Sequence, residues 1–251
     1  MSNIMTVSES RDGVVFLKLN DERRKNAFTD DFVEQFIAAL EKIEEKGDTK
    51  VLVMHGLPDV FCAGADKKNL LALCDGIVHV KDLAVSRRLL EVPFPVIAAM
   101  EGHAVGGGLM LAVCCDMVIA AKESRYGASF MELGFTPGMG CTQLLEQLVG
   151  PYVAAEMMYT ARLFKGSELA GKGTNINAIV PKAEVMKTAT DMAKRIGEKN
   201  RESLYLLKYA LASCRKKMLV DAQVNEDLMH RISFAFPQTR TNIEAMYKET
   251  E

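Results

Sequence analysis

Pro95-Val96-Ile97-Ala98-Ala99-Met100-Glu101-Gly102-His103-Ala104-Val105-Gly106-Gly107-Gly108-Leu109-Met110-Leu111-Ala112-Val113-Cys114-Cys115-Asp116 joins two kinds of local order. An apolar β-type run, Val96 to Met100, meets a polar turn at Glu101-Gly102-His103; three consecutive glycines and an apolar helical run follow. The glycines stand where a strand hands over to a helix. A helix start leaves its first N–H groups without partners and carries partial positive charge, and residues lacking Cβ let a ligand oxygen come within hydrogen-bonding reach. The stretch therefore reads as an anion or oxyanion site, without the G-x-G-x-x-G spacing of a dinucleotide site. A second glycine turn upstream, Phe61-Cys62-Ala63-Gly64-Ala65-Asp66, also follows an apolar strand, Val51 to Met54. Two such turns can supply two amides.

Working outward, Thr6 to Glu9 and Val14 to Leu19 alternate with period two around Arg11-Asp12-Gly13 and predict a hairpin. Thr29 is placed to cap a helix to about residue 46, because Phe32, Phe36, Ala39, Leu40 and Ile43 recur on one helical face. Two helices broken near Asp75-Gly76 are expected before Pro93, and Asp116 to Ala121 makes another apolar strand. Strand and helix alternate, which favours a layered α/β core. Residues 126–141 hold a Gly- and Pro-rich loop, Gly134-Phe135-Thr136-Pro137-Gly138-Met139-Gly140, of the kind that lines a site. Helices are expected over 142–149, 151–160, 182–199, 201–214, 218–233 and 238–247. The last three have no strand between them. We divide the chain into a core over 1–195 and a helical region over 196–251.

With 251 residues, 49% of them apolar, the chain can bury a full core. A formal net charge of -2 and the lack of a long Lys/Arg run argue against nucleic acid or a membrane surface as partner. There is no 18-residue apolar span, and the first residues have neither the basic start nor the apolar core of a signal peptide, so the cytoplasm is the expected setting. The six cysteines lack C-x-x-C or metal-ligand spacing and are read as reduced core residues, with no metal implied.

Leu19-Asn20 with Asn26-Ala27-Phe28, both glycine turns, Cys115-Asp116, Gly134 to Gly140 and the closing helices together resemble the crotonase (enoyl-CoA hydratase/isomerase) superfamily along essentially the whole chain. The resemblance implies a crotonase-type spiral of ββα units with a C-terminal helical trimerisation region, hence a homotrimer or a dimer of trimers, and a substrate carried as a thioester on an acyl carrier protein or CoA. It implies no cofactor. It also implies that the N–H groups of Ala65 and Gly107 polarise the thioester carbonyl, which suits an enolate, since fixed donors stabilise the developing charge without reorganising.

Two departures narrow the chemistry. The positions where family hydratases carry catalytic glutamates are Met110 and Phe130, and neither side chain moves a proton, so water addition of the usual kind is disfavoured. Gly138 stands where the family's dehalogenases carry a nucleophilic aspartate. A hole without a carboxylate base suits a reaction that makes its own carbanion. Gly102-His103, the run from Phe130 to Gly140, and Met229-His230 make the pattern similar to the crotonase-like decarboxylases of polyketide β-branching, which implies loss of CO2 from a 3-methylglutaconyl thioester to give the 3-methylcrotonyl thioester. The alternatives are an enoyl-thioester isomerase or hydratase-like enzyme, and a non-catalytic module that docks an acyl carrier.

Within that resemblance Lys67 is the candidate for meeting the substrate carboxylate or reprotonating the dienolate, with Lys68 competing for the role, and His230 is a candidate general acid for returning the proton. Lys25 and Lys68 are candidates for the carrier's phosphate; Ala63, Gly106 and Gly138 line the substrate path, and Tyr126 and Phe130 wall the acyl pocket. A dry wall destabilises a carboxylate relative to CO2. His103 is expected to hold its own turn, and His55 and His79 are given no chemical role.

Overall fold

The computed structural model describes residues 3–77 and 82–247; His79 lies outside them. The chain opens with the expected hairpin, β1 (Met5–Glu9) and β2 (Val14–Leu19), antiparallel with Met5 opposite Leu19. Helix α1 (Asp30–Glu45) follows, its first turn capped by Thr29, whose hydroxyl accepts the Phe32 N–H at 3.1 Å. Phe32, Phe36, Ala39, Leu40 and Ile43 are its buried face, as their spacing predicts. Next come β3 (Val51–His55), β4 (Val60–Cys62), α2 (Lys67–Cys74) and α3 (Asp82–Glu91). Then follow β5 (Val96–Met100), β6 (His103–Val105), α4 (Gly107–Val113), β7 (Met117–Ala121) and β8 (Arg125–Gly127). After a 3-10 turn over Ser129–Leu133 lie α5 (Cys141–Val149), α6 (Pro151–Thr160), β9 (Phe164–Lys165), α7 (Gly166–Gly171) and β10 (Ala178–Val180). Helices α8 (Val185–Gly197), α9 (Arg201–Ser233) and α10 (Pro237–Met246) close the described chain.

Strands alternate between two sheets. The large sheet has the order β1-β2-β3-β5-β7-β10 and the small one β4-β6-β8-β9. Thus β3 and β4, β5 and β6, and β7 and β8 each place one strand in either sheet before the chain returns through helix. That is the expected spiral of ββα units. Strand β5 is buried along its whole length, as a parallel strand covered on both faces must be. One apolar cluster fills the space between sheets and helices, and a second lies under α8, where Val185, Ala189 and Ala193 pack on Val53, Ile97 and Ile119.

The structure corrects one helix boundary and one grouping. Residues 201–233 form a single 33-residue helix rather than two; the linking Cys214-Arg215-Lys216-Lys217-Met218 contains neither glycine nor proline and propagates a helix without strain. Cys62, Cys114, Cys115 and Cys141 are buried as expected, whereas Cys74 is half-buried and Cys214 faces solvent. No helix of the described residues is long and apolar enough to cross a membrane.

Candidate active site

The two glycine turns interlock backbone to backbone. A Cβ on Gly64 would stand 2.6 Å from the Val105 carbonyl oxygen and 3.3 Å from the Gly107 nitrogen, and one on Gly108 would stand 2.1 Å from the Cys62 carbonyl oxygen. Only bare backbone fits. The first turn is shaped from below by Asn26, fully buried, whose Nδ2 donates to the Leu19 and Phe61 carbonyls at 3.1 and 2.9 Å while its Oδ1 accepts the Asp21 N–H at 2.8 Å. Around it the Ala63 N–H donates to the Lys25 carbonyl at 3.1 Å and the Phe28 N–H to the Gly64 carbonyl at 2.8 Å. The second turn depends on Gly106, at φ 55° and ψ -122°, a conformation that side chains rarely tolerate. Gly107 is the first residue of α4, so its N–H has no acceptor within the helix.

Apolar groups surround these amides. A Cβ on Gly107 would meet Phe28 at 2.7 Å and the Met139 sulfur at 2.8 Å, and one on Gly106 would meet the Phe130 ring at 3.8 Å and the Ser129 hydroxyl at 3.9 Å. Phe130 packs edge-on to Phe135, ring centres 6.0 Å apart, and Met110 is fully buried. The arrangement is a pair of interlocked glycine turns with Phe28, Met139 and Phe130 packed on the second, and Met110 and Phe130 carry no ionisable group.

The family profile for enoyl-CoA hydratase/isomerase matches residues 9–251. The chain belongs to this family. It is 31% identical over 245 residues to the bacillaene synthase decarboxylase PksI of Bacillus subtilis (strain 168), covering 98% of each protein. Among solved structures it is similar to the ECH2 decarboxylase domain of CurF from Lyngbya majuscula, at a TM-score of 0.92 and 31% identity over 98% of this chain and all (100%) of that one. It is also similar to a member of a dehydratase/decarboxylase enzyme couple involved in polyketide beta-branching, at a TM-score of 0.94 and 31% identity over 97% and 99% of the two chains.

In this crotonase-fold chain the loop at 134–140 is stitched to α9. The His230 Nε2 donates to the Thr136 carbonyl at 2.8 Å, which fixes the tautomer, since a carbonyl only accepts. The ring fills the space over Gly138, where a Cβ would stand 2.5 Å from it, and Phe135 and Phe234 meet it edge-on. Burial holds the imidazole pKa below its ordinary value, against the opposing pull of the Thr136 carbonyl and the Glu226 charge. Glu226, one turn earlier, accepts the Gly140 N–H at 2.8 Å, the Thr142 N–H at 2.9 Å and the Thr142 hydroxyl at 2.7 Å. The Thr136 N–H donates to the Ser233 hydroxyl at 3.3 Å. Sequence reading singled out His230 and missed Glu226 and Ser233, although both recur with it at helical spacing.

The other predicted residues separate. Lys67 begins α2 next to Asp66, half-buried. Lys68, its side chain 81% exposed, lies 3.8 Å from the Asp30 carboxylate and shares an open cleft with Arg23, Arg24 and Asp66. Lys25 is exposed and left-handed at φ 53°, and Ala63 lies beneath it through the backbone bond already described. Tyr126 is corrected: it does not wall the acyl pocket. It is fully buried in the core, accepting the Ala121 N–H at 2.8 Å and donating to the Met100 carbonyl at 3.0 Å, and burial pushes its phenol pKa up. His103 holds its turn as expected, its Nδ1 accepting the Arg125 N–H at 2.9 Å.

Proposed function

We propose that the protein decarboxylates a 3-methylglutaconyl thioester, carried on an acyl carrier protein or CoA, to the 3-methylcrotonyl thioester of polyketide β-branching. The observation that carries the reading is the pair of interlocked turns, with Phe28 and Met139 packed on Gly107 and with Met110 and Phe130 standing where the resemblance puts the hydratase acids; it supports Ala65 and Gly107 as the oxyanion donors. The likeness to decarboxylases over the full chain supports it.

In the reaction the bond from the substrate carbon to its free carboxylate breaks, and its electron pair enters the conjugated thioester. CO2 leaves. The resulting dienolate oxygen sits between the Ala65 and Gly107 N–H groups, where one such donor is worth about 3 kcal/mol in acyl-transfer enzymes. Apolar surroundings favour neutral CO2 over the carboxylate. Lys67 meets the leaving carboxylate or returns the proton to the dienolate, and His230 is the second acid, protonated at Nδ1 while its Nε2–H stays on the Thr136 carbonyl; no metal or redox cofactor enters the step. Lys25 and Lys68 serve the carrier's phosphate, with Ala63, Gly106 and Gly138 along the arm. The setting is cytoplasmic, and the active form is a homotrimer or a dimer of trimers, which the exposed apolar residues of α9 support.

Mass spectrometry of a carrier-bound 3-methylglutaconyl thioester incubated with the protein tests the reading. Loss of one CO2 well above the blank is expected. A gain of water, a shifted double bond at unchanged mass, or carrier binding without turnover would each replace it, and full activity in both Lys67→Ala and His230→Ala would overturn the side-chain roles.

A further inference from the structure

Helix α10 reaches back over the acyl site and touches it with side chains that the reaction scheme does not use. It packs on α2, which starts directly after the first glycine turn, and on the 3-10 turn that carries Phe130. Polar contacts hold it. Arg240 pairs with Asp75 at the end of α2; the Thr239 hydroxyl donates to the Gly134 carbonyl at 2.9 Å; and the hydroxyl of Tyr247, which caps the helix, donates to the Ala65 carbonyl at 2.8 Å.

The last contact falls on the residue whose N–H faces the reacting oxygen. The peptide unit before Ala65 is held by the Phe28 N–H on the Gly64 carbonyl. The unit after it is held by Tyr247. Gly64 sits at φ 87° against the Val105 carbonyl, so the Ala65 N–H is aimed by its own peptide unit on one side and by the restrained Ala65 carbonyl on the other. We propose that Tyr247 is a positioning residue for the oxyanion site, acting through the Ala65 carbonyl and so coupling the docking of α10 to the geometry of the hole. The proposal rests on the reading that Ala65 and Gly107 receive the thioester oxygen. The Tyr247 phenol suits this role, because its ring lies against the main core cluster and burial raises its pKa to about 12, which keeps it a neutral donor across the working range.

The test compares the wild-type chain with Tyr247→Phe, which keeps the ring and removes the donor. Steady-state turnover of the 3-methylglutaconyl thioester is measured together with the infrared stretch of a 13C-labelled carbonyl in bound 3-methylcrotonyl thioester. Tyr247→Phe is expected to lower kcat about tenfold with KM nearly unchanged, and to move the bound carbonyl back toward its frequency in free solution, as for a donor displaced but not removed. A variant with wild-type kcat and carbonyl frequency, or one that changes only KM and Tm, overturns the proposal. Should the wild-type chain leave the substrate intact, the decarboxylase reading fails, yet a wild-type carbonyl shift that Tyr247→Phe reduces still supports the positioning role. No carbonyl shift in the wild-type complex overturns it.

Discussion

Helices α4 and α9 are built on opposite plans. Every residue of α4, from Gly107 to Val113, is buried, and none carries a polar side chain; the helix is placed by close backbone approach and apolar packing. In α9 the buried face holds Lys208, Glu226, His230 and Ser233, while Val220, Val224, Leu228 and Ile232 recur every four residues in solvent on the other side. Its first half grips the core through Asp116, one carboxylate oxygen of which takes the Lys208 ammonium at 2.6 Å and the Val96 N–H at 2.8 Å while the other takes Arg215. Its second half grips the 134–140 loop through Glu226, His230 and Ser233. Apolar packing tolerates a small slide; directional bonds to named carbonyls and amides do not. The glycine helix is placed by backbone contact, and the inverted helix sets where the facing loop stands.

The largest effect that would separate the two plans comes from Asp116→Ala, which leaves Lys208 and Arg215 facing the core with no anion. A loss of about 3–5 kcal/mol is expected in denaturant unfolding, the usual penalty for an orphaned buried charge; a loss well under that would show α9 to be held by its packing instead. Next, Glu226→Ala removes the acceptor of three hydrogen bonds and should lower stability by about 1–3 kcal/mol and slow turnover with it. Glu226→Gln, which keeps one oxygen, should recover part of both, and equal behaviour of the two variants would deny the carboxylate its role.

A smaller effect appears in pH. Burial lowers the folded-state pKa of His230 below its ordinary value of 6.5, so the unfolded chain binds the proton more readily. The associated stability is whole above pH 6.5 and is lost as pH falls through the folded value. His55, half-buried beside Lys18, and His103, partly desolvated beside Arg125, act in the same direction. The fall in Tm on acidification should therefore be shallower in His230→Gln than in wild type, with the His55 and His103 parts remaining. The smallest change within a single folded chain is expected from Val224→Lys, about 0.5 kcal/mol or less, because the side chain already faces solvent. If that face meets other copies, the same variant should sharply reduce the mass seen by light scattering.

Much of this architecture is legible in the sequence because it is local. The hairpin, the Thr29-capped helix, the strand at Val51 and the strand-glycine-helix passage each announce themselves within a few residues. The second sheet does not, since β4, β6 and β8 are three residues long and β9 two, too short for period-two alternation to show. Tyr126 misled for a related reason: an aromatic beside a glycine loop suggests a pocket wall, but its position on β8 sends the phenol to Met100 and Ala121. Met110 and Phe130 were readable as missing acids because the loss of a carboxylate is a chemical statement made by one residue. Glu226 and Tyr247 were not, because each acts only on a backbone group brought beside it by the fold.

The bond from Tyr247 to Ala65 spans 182 residues, and this separation has a consequence in time. Loop closure over such a distance comes late, after the entropy of ordering the intervening chain has been offset by its own packing. During synthesis the Ala65 turn emerges early and must wait, its carbonyl bonded to water, until α10 has left the ribosome and docked. A nascent chain halted before that point would carry both glycine turns and still lack the Tyr247 bond to Ala65.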